Sequence, residues 1–182
     1  MGQRISILLA FVVGLVRPIP AQKVSNSSAA DGPPAYTVSE AYSVYSSILG
    51  GGGYFVNIET EPHEMCRAPG SDLDPSMREA MVDYVKVNRS KFLLLPIFFG
   101  LFPGSRSSKL VRGQDLAPDP RSQSFIGVGP DLCFFSAVGF NRDKTLALTY
   151  YSRLGTGGIL VLQKIGGKWT QLQSKEMCRW IA

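Results

Sequence analysis

From Cys133 to the end of the chain, runs of strand-forming residues alternate with turn residues: "CFFSAVGF", "NRDK", "TLALTYYS", "RLGTG", "GILVLQKI", "GGK", "WTQLQ" and "SKEMCRWIA". β-Branched and aromatic side chains suit a pleated, half-buried surface, and Gly, Asn and Asp suit the reversals between such runs. Repeated at this short spacing, the pattern predicts an antiparallel meander. Side chains alternate along a strand, so Leu146, Leu148 and Tyr150 share one face, and Ala147, Thr149 and Tyr151 share the other. Trp169 and Trp180 are expected to fasten the sheet edge to the core.

The half before it reads differently. Thr37 and Glu40 are spaced as a capping box, in which hydroxyl and carboxylate satisfy reciprocal N–H groups at a helix start. Val38, Ala41, Tyr42, Tyr45, Ile48 and Leu49 then fall on one helical face, and the glycines Gly50–Gly53 end the helix. "YFVNIET" (54–60) has strand composition. A second helix opens with Asp74 as cap and Pro75 at its first position, and carries Met77, Ala80, Met81 and Tyr84 as a buried stripe, fading near Asn88. Helices early and an antiparallel sheet late define an α+β class, with the N-terminal helices packed on a curled C-terminal β-meander.

Between the halves runs "KFLLLPIFFGLFPG", apolar from Phe92 to Phe102 except for the breakers Pro96 and Gly100. It is too short to span a bilayer and shows no amphipathic alternation, so it is expected to be core, with its Phe-rich end able to form the lip of a groove. Residues 103–130 read as a long loop made basic by Arg106, Lys109, Arg112 and Arg121.

The first 21 residues have the layout of a secretory signal peptide: Arg4, the apolar run 5–16, then "RPIPAQ", with cleavage expected after Ala21. Residues 22–36 lack periodicity and are expected to be a flexible leader, leaving 37–182 as a single domain of ordinary size. Without residues 1–21 the chain holds 17 basic and 14 acidic side chains, a balance of +3 that does not call for nucleic acid. No stable membrane span is expected once the signal is removed, and the localisation expected is periplasmic or secreted.

Export places the cysteines in an oxidising compartment. Of Cys66, Cys133 and Cys178, Cys133 lies in a strand-like run and is expected to be buried and free. That leaves Cys66–Cys178 as the expected bridge, beside the alternative of three unpaired thiols.

"FFSAVGFNRDKTLALTYYSRLGTGGILVLQKIGGKWTQLQ", closed by "RWIA", resembles the end of a group of uncharacterised exported bacterial α+β proteins. The shared pattern is a serine, a Val-Gly-Phe-Asn turn, an Ala-Leu-x-Tyr strand, a Gly-rich turn, a Leu-Gln/Glu-Lys strand, Gly-x-Trp and a final Trp-Ile. "AYSVYSSIL", "NIETEP" and "MREAMVDYVKVNRS" fit the same order, so the likeness covers about half of the chain. The group usually has cysteines flanking the Gly-rich turn, and "RLGTGGI" has none. The resemblance implies export and fold, and brings no activity with it. In outline, a helix against a curled meander is also similar to cystatin-like folds, which host many functions.

Little in the chain points to catalysis, cofactors or metals. His63 is the only histidine, three residues before Cys66 in an acidic stretch with Glu59, Glu61 and Glu64. No group that would orient a Cys–His pair is evident, and one histidine is too few for the usual His-based metal sites. "GGGG" lacks the Lys-Ser/Thr of a phosphate loop, and "GTGG" lies between strands, where a dinucleotide fingerprint would open a helix. Asn26 and Asn88 match the glycosylation pattern, by coincidence if the source is bacterial. No catalytic residue is assigned and no cofactor is expected. The leading expectation is a non-catalytic exported domain binding a small apolar ligand, a peptide or an envelope protein through Tyr42, Tyr45, Phe98, Phe99 and Phe102. The alternatives are an accessory interaction protein meeting its partner through Arg106, Lys109 and Arg112, and a hydrolase using acidic residues of the 59–74 loop.

Overall fold

A computed structural model of the chain describes residues 32–66, 68, 70, 72–99, 108–112, 132–172 and 177–181. Residues Gly32–Ala182 form one compact unit. Its elements in order are β1 (Ala35–Tyr36), α1 (Ser39–Leu49), β2 (Phe55–Asn57), α2 (Pro75–Val87), β3 (Leu93–Leu94), the single helical turn α3 (Pro96–Phe99), β4 (Lys109–Val111), β5 (Leu132–Phe135), β6 (Gly139–Phe140), β7 (Leu146–Arg153), β8 (Thr156–Ile165), β9 (Lys168–Gln171) and β10 (Met177–Ile181).

The class is α+β, and β7, β8 and β9 form the expected antiparallel meander. Two features of the expected sheet are corrected. It is mixed, because β2 lies parallel to both β4 and β5. It is also open and uncurled: the order runs β10-β8-β7-β5-β2-β4, with β6 on β7 and β9 on β8. Parallel neighbours need a long crossover, and the chain between β2 and β5, with α2, supplies it. That parallel half sets the sheet apart from the cystatin-like outline.

The alternation read along β7 decides the layering. Leu148 and Tyr150, with Ile159 and Val161 of β8, pack on the α2 stripe Met77, Ala80, Met81 and Tyr84. Ala147, Leu160 and Leu162 point to the opposite face and pack with Tyr42, Tyr45 and Leu49 of α1. Each face of the hairpin therefore carries one helix. Asp74 caps α2 by accepting the N–H groups of Ser76 and Met77, with Pro75 next to it. Gly50 ends α1 in the left-handed conformation at φ 59°, where a glycine has no Cβ to clash.

Other differences have local causes. The capping box at Thr37 and Glu40 does not form: Val38 occupies the cap position of α1 without a side-chain bond, and Glu40 turns to a tertiary partner instead. The leader ends earlier than residue 36, since Ala35–Tyr36 pair with Leu93–Leu94 and Tyr36 is buried. The expected loop 103–130 contains β4, whose backbone pairs with β2. In the apolar run, Leu94 and Phe99 are core, but Ile97 is 73% exposed, because the turn at Pro96 swings it outward.

Cys66 and Cys178 form the expected disulfide, tying the 59–74 stretch to β10, and Cys133 is buried and outside the bridge, its sulfur 3.6 Å from the Tyr151 hydroxyl. Trp169 is buried, as the sheet-edge reading expected. The side chains of Phe98 and Trp180 lie outside the described residues.

Candidate functional site

The hydroxyl and ring positions of α1 show what its tyrosines do. Tyr42 donates its hydroxyl to the Tyr36 carbonyl at 2.7 Å and accepts the Leu95 N–H at 2.9 Å. Tyr45 donates to the Ser136 carbonyl at 2.8 Å, and its ring meets Phe135 at 4.6 Å. Tyr42, Tyr45 and Phe99 are all buried in the core beneath α1, and none lines the cavities described below. Burial raises the Tyr45 hydroxyl well above its ordinary pKa, and the neighbouring hydroxyls of Tyr36 and Tyr42 push it the same way. Phe102 and Arg106 fall outside the described residues, whereas Lys109 and Arg112 are exposed on and beside β4.

The densest polar bonding runs along Ser136–Arg142, the stretch carrying the Val-Gly-Phe-Asn turn. The Ser136 hydroxyl accepts the Tyr150 N–H, and the Ser136 N–H donates to the Tyr150 carbonyl. Asn88, which follows α2, accepts the Ala137 N–H at 3.0 Å and donates to the Ala137 carbonyl at 2.9 Å. The Tyr36 hydroxyl accepts the Val138 N–H, Asp83 that of Phe140, and Glu79 that of Arg142. Asn141 closes the turn by accepting from Thr145 and Leu146. Gly139 is required here, because a Cβ would lie 2.3 Å from the Tyr84 backbone nitrogen. With its Nδ2 on the Tyr84 and Ala137 carbonyls, Asn88 serves the fold and is not offered as a glycan acceptor.

A second motif-bearing cluster ties α1 to the hairpin. Glu40 Oε1 accepts from Lys164 Nζ at 2.8 Å and from Trp169 Nε1 at 2.7 Å. Burial alone would raise the Glu40 carboxyl, but these two hydrogen bonds and the Lys164 charge outweigh it and hold its pKa below the ordinary value.

His63 stacks on Tyr150, ring centroids 4.0 Å apart and planes within 6°. Burial lowers its pKa, against the pull of Glu61 and Glu64. It borders a cavity of about 700 Å³ with Glu64, Met65, Val85 and Arg89. Among the described residues no group of three or more His, Cys, Asp or Glu is placed to hold a metal ion. Stacking gives His63 a packing role on the sheet, and Glu61 and Glu64 are exposed around it.

The feature that sequence reasoning missed is a groove of about 670 Å³ between α2 and the β6–β7 turn. Its apolar lining comes from Tyr36, Val38, Val82, Val87, Val138 and Phe140. Val82 is 56% exposed and Val38 37%, although both are apolar. Charged side chains rim it: Arg78, Lys86, Arg142 and Lys144, against Glu79 and Asp83. The signal was present in "MREAMVDYVKV", where Val82 lies off the buried stripe of α2 and makes that outer face more apolar than solvent contact needs.

These features define an α+β domain with a mixed sheet, a helix on each face and an apolar groove beside the second helix. No family model, curated protein or solved structure matches the chain.

Proposed function

We propose that the protein is an exported, non-catalytic binding domain, and that the groove between α2 and the β6–β7 turn is where it takes a small apolar ligand. The observation that carries this reading is the groove itself: about 670 Å³, within the range of small-molecule sites, with an apolar floor and a charged rim. The Cys66–Cys178 disulfide is consistent with an oxidising compartment and supports export. The reading keeps the ligand class expected from the sequence and moves the site away from Tyr42, Tyr45 and Phe99, whose burial in the core leaves a ligand no access to them.

Membership of the exported bacterial α+β group is proposed on the same footing. What supports it is that its pattern residues hold structural posts here: Ser136 and Asn141 organise the turn, Gly139 admits α2, and Lys164 and Trp169 bind Glu40. A second reading, an accessory protein docking through Lys109 and Arg112, is favoured by the position of β4 at one end of the sheet.

Fluorescence titration with the neutral probe N-phenyl-1-naphthylamine tests the groove. The purified protein should bind it, and Val82→Glu should weaken binding at least about tenfold, because a charge would stand on the apolar floor. Val85→Glu, which lines the His63 cavity instead, serves as control. Loss of binding in the Val85 variant but not in the Val82 variant would move the site; no binding at all would end the ligand reading.

A further inference from the structure

The groove is polar at one end and apolar at the other, and the backbone bonds fix which end is which. Strand β6 and its turn run antiparallel to α2: Ala137 meets Asn88, Phe140 meets Asp83, and Arg142 meets Glu79. Val87, Val138 and Tyr36 therefore sit toward the C-terminal end of α2, and Arg78, Arg142 and Lys144 toward its N-terminal half. At that second end the lining carries three cations, Arg78 (which also donates to the Leu73 carbonyl at 3.2 Å), Arg142 and Lys144, and one acid, Glu79, which accepts the Arg142 N–H at 3.1 Å. Asp83, midway along, is engaged by the Phe140 N–H. Asp143 shares the turn with Arg142 and Lys144, but it does not line the groove. Lys86 is the one cation near the apolar end, on the helix face beside Val87.

Resting on the binding reading above, we infer that the ligand is a single-chain anionic amphiphile of the fatty-acid type. Its alkyl chain lies over Val82, Phe140, Val138 and Tyr36, and its carboxylate lies among Arg78, Arg142 and Lys144. Arg side chains match a carboxylate with paired donors, and a flexible Lys adds charge without geometric demand. An anionic head suits an end whose lining carries more positive than negative side chains, and a cationic head would be repelled there. Glu79 and Asp83 each accept a backbone N–H of the opposing turn, which ties them to that turn.

The test is competition against N-phenyl-1-naphthylamine by dodecanoate, dodecanol, dodecyltrimethylammonium and dodecyl phosphate, each below its aggregation threshold. Dodecanoate should compete about tenfold better than dodecanol and better still than the ammonium compound, as partly exposed charge pairs of this number allow. In an Arg142→Glu, Lys144→Glu double variant with an unchanged melting profile, the dodecanoate-to-dodecanol preference should disappear, and the ammonium compound should gain. If dodecanol equals dodecanoate, or the preference survives charge reversal, the anionic head is wrong although the groove still binds. Stronger competition by dodecyl phosphate than by dodecanoate overturns the carboxylate. If the probe itself never binds, it is the groove reading that fails.

Discussion

Helix α1 meets its face of the sheet through a ring-rich core, and α2 meets the other through a smaller apolar stripe supplemented by hydrogen bonds to one turn. Under α1, Tyr42, Tyr45, Phe99 and Phe135 fill the core, with Leu94 and Val56 around them. Under α2 the packed set is smaller, with Met77, Ala80, Met81 and Tyr84 against Leu148, Tyr150, Ile159 and Val161, and Met65, Leu73 and Cys178 complete its border. What α2 lacks in ring area is offset by Asn88, Asp83 and Glu79, which accept the backbone N–H groups of Ala137, Phe140 and Arg142. The difference shows why the groove is where it is. A face sealed by large rings leaves no room, whereas α2, drawn in at Gly139 and tethered along one turn, leaves Val82 beside that turn to line an apolar cleft.

The largest test of that contrast is the disulfide, which borders only the α2 core. Replacing Cys66 and Cys178 by Ser removes a cross-link between residues 112 apart in sequence, worth roughly 5 kcal/mol in the chain-entropy model. Denaturant unfolding should show that loss. Native-state hydrogen exchange should show amides of α2 opening well before those of α1. Equal acceleration in both helices would mean that the two faces unfold as one, and the comparison would lose its energetic meaning.

Gly139→Ala probes the tether directly. The added Cβ would fall 2.3 Å from the Tyr84 nitrogen and 2.4 Å from its Cα, and backbone cannot step aside as a side-chain tip can. Displacing α2 would strain the Asn88 and Asp83 bonds together, so a loss of about 3 kcal/mol is expected, at the upper end for overpacking. Thermal or urea melts measure it. A near-neutral result would sink the idea that close approach at Gly139 seats the helix.

This contrast also explains what could be read in advance. The period of β7, the stripe of α2, its Asp74–Pro75 start and the Cys66–Cys178 bridge were legible because each depends on local spacing or simple exclusion. The parallel pairing of β2 with β4 and β5 was not, since three-residue strands carry no period and their partners lie far along the chain. The capping box failed for a related reason: Glu40 has two competing uses, and Lys164 and Trp169, more than a hundred residues away, provide the stronger one. The groove was not legible because composition reports apolarity, not exposure. Tyr42, Tyr45, Leu94 and Phe99 went into the core, while Val82, off the buried stripe of α2, lines the groove.

The smallest expected effect tests whether α1 depends on charge at all. Glu40→Gln keeps a side-chain oxygen able to accept from Trp169 and Lys164 while removing the negative charge. With Glu40 and Lys164 27% and 31% exposed, solvent screens the pair, so the loss at neutral pH should stay below about 1 kcal/mol. The folded pKa of Glu40 is lowered, so the folded state prefers the ionised form. Its contribution is therefore fully present above the unfolded carboxyl value near 4.5 and disappears as pH falls through the lower folded value. Melts of both proteins from roughly pH 3 to 7 should then give two curves that are separate at neutral pH and merge in acid. A gap that persists unchanged into acid would show that the oxygen's geometry, not its charge, fastens α1, and would make the α1 face as independent of ionic bonds as its ring packing suggests.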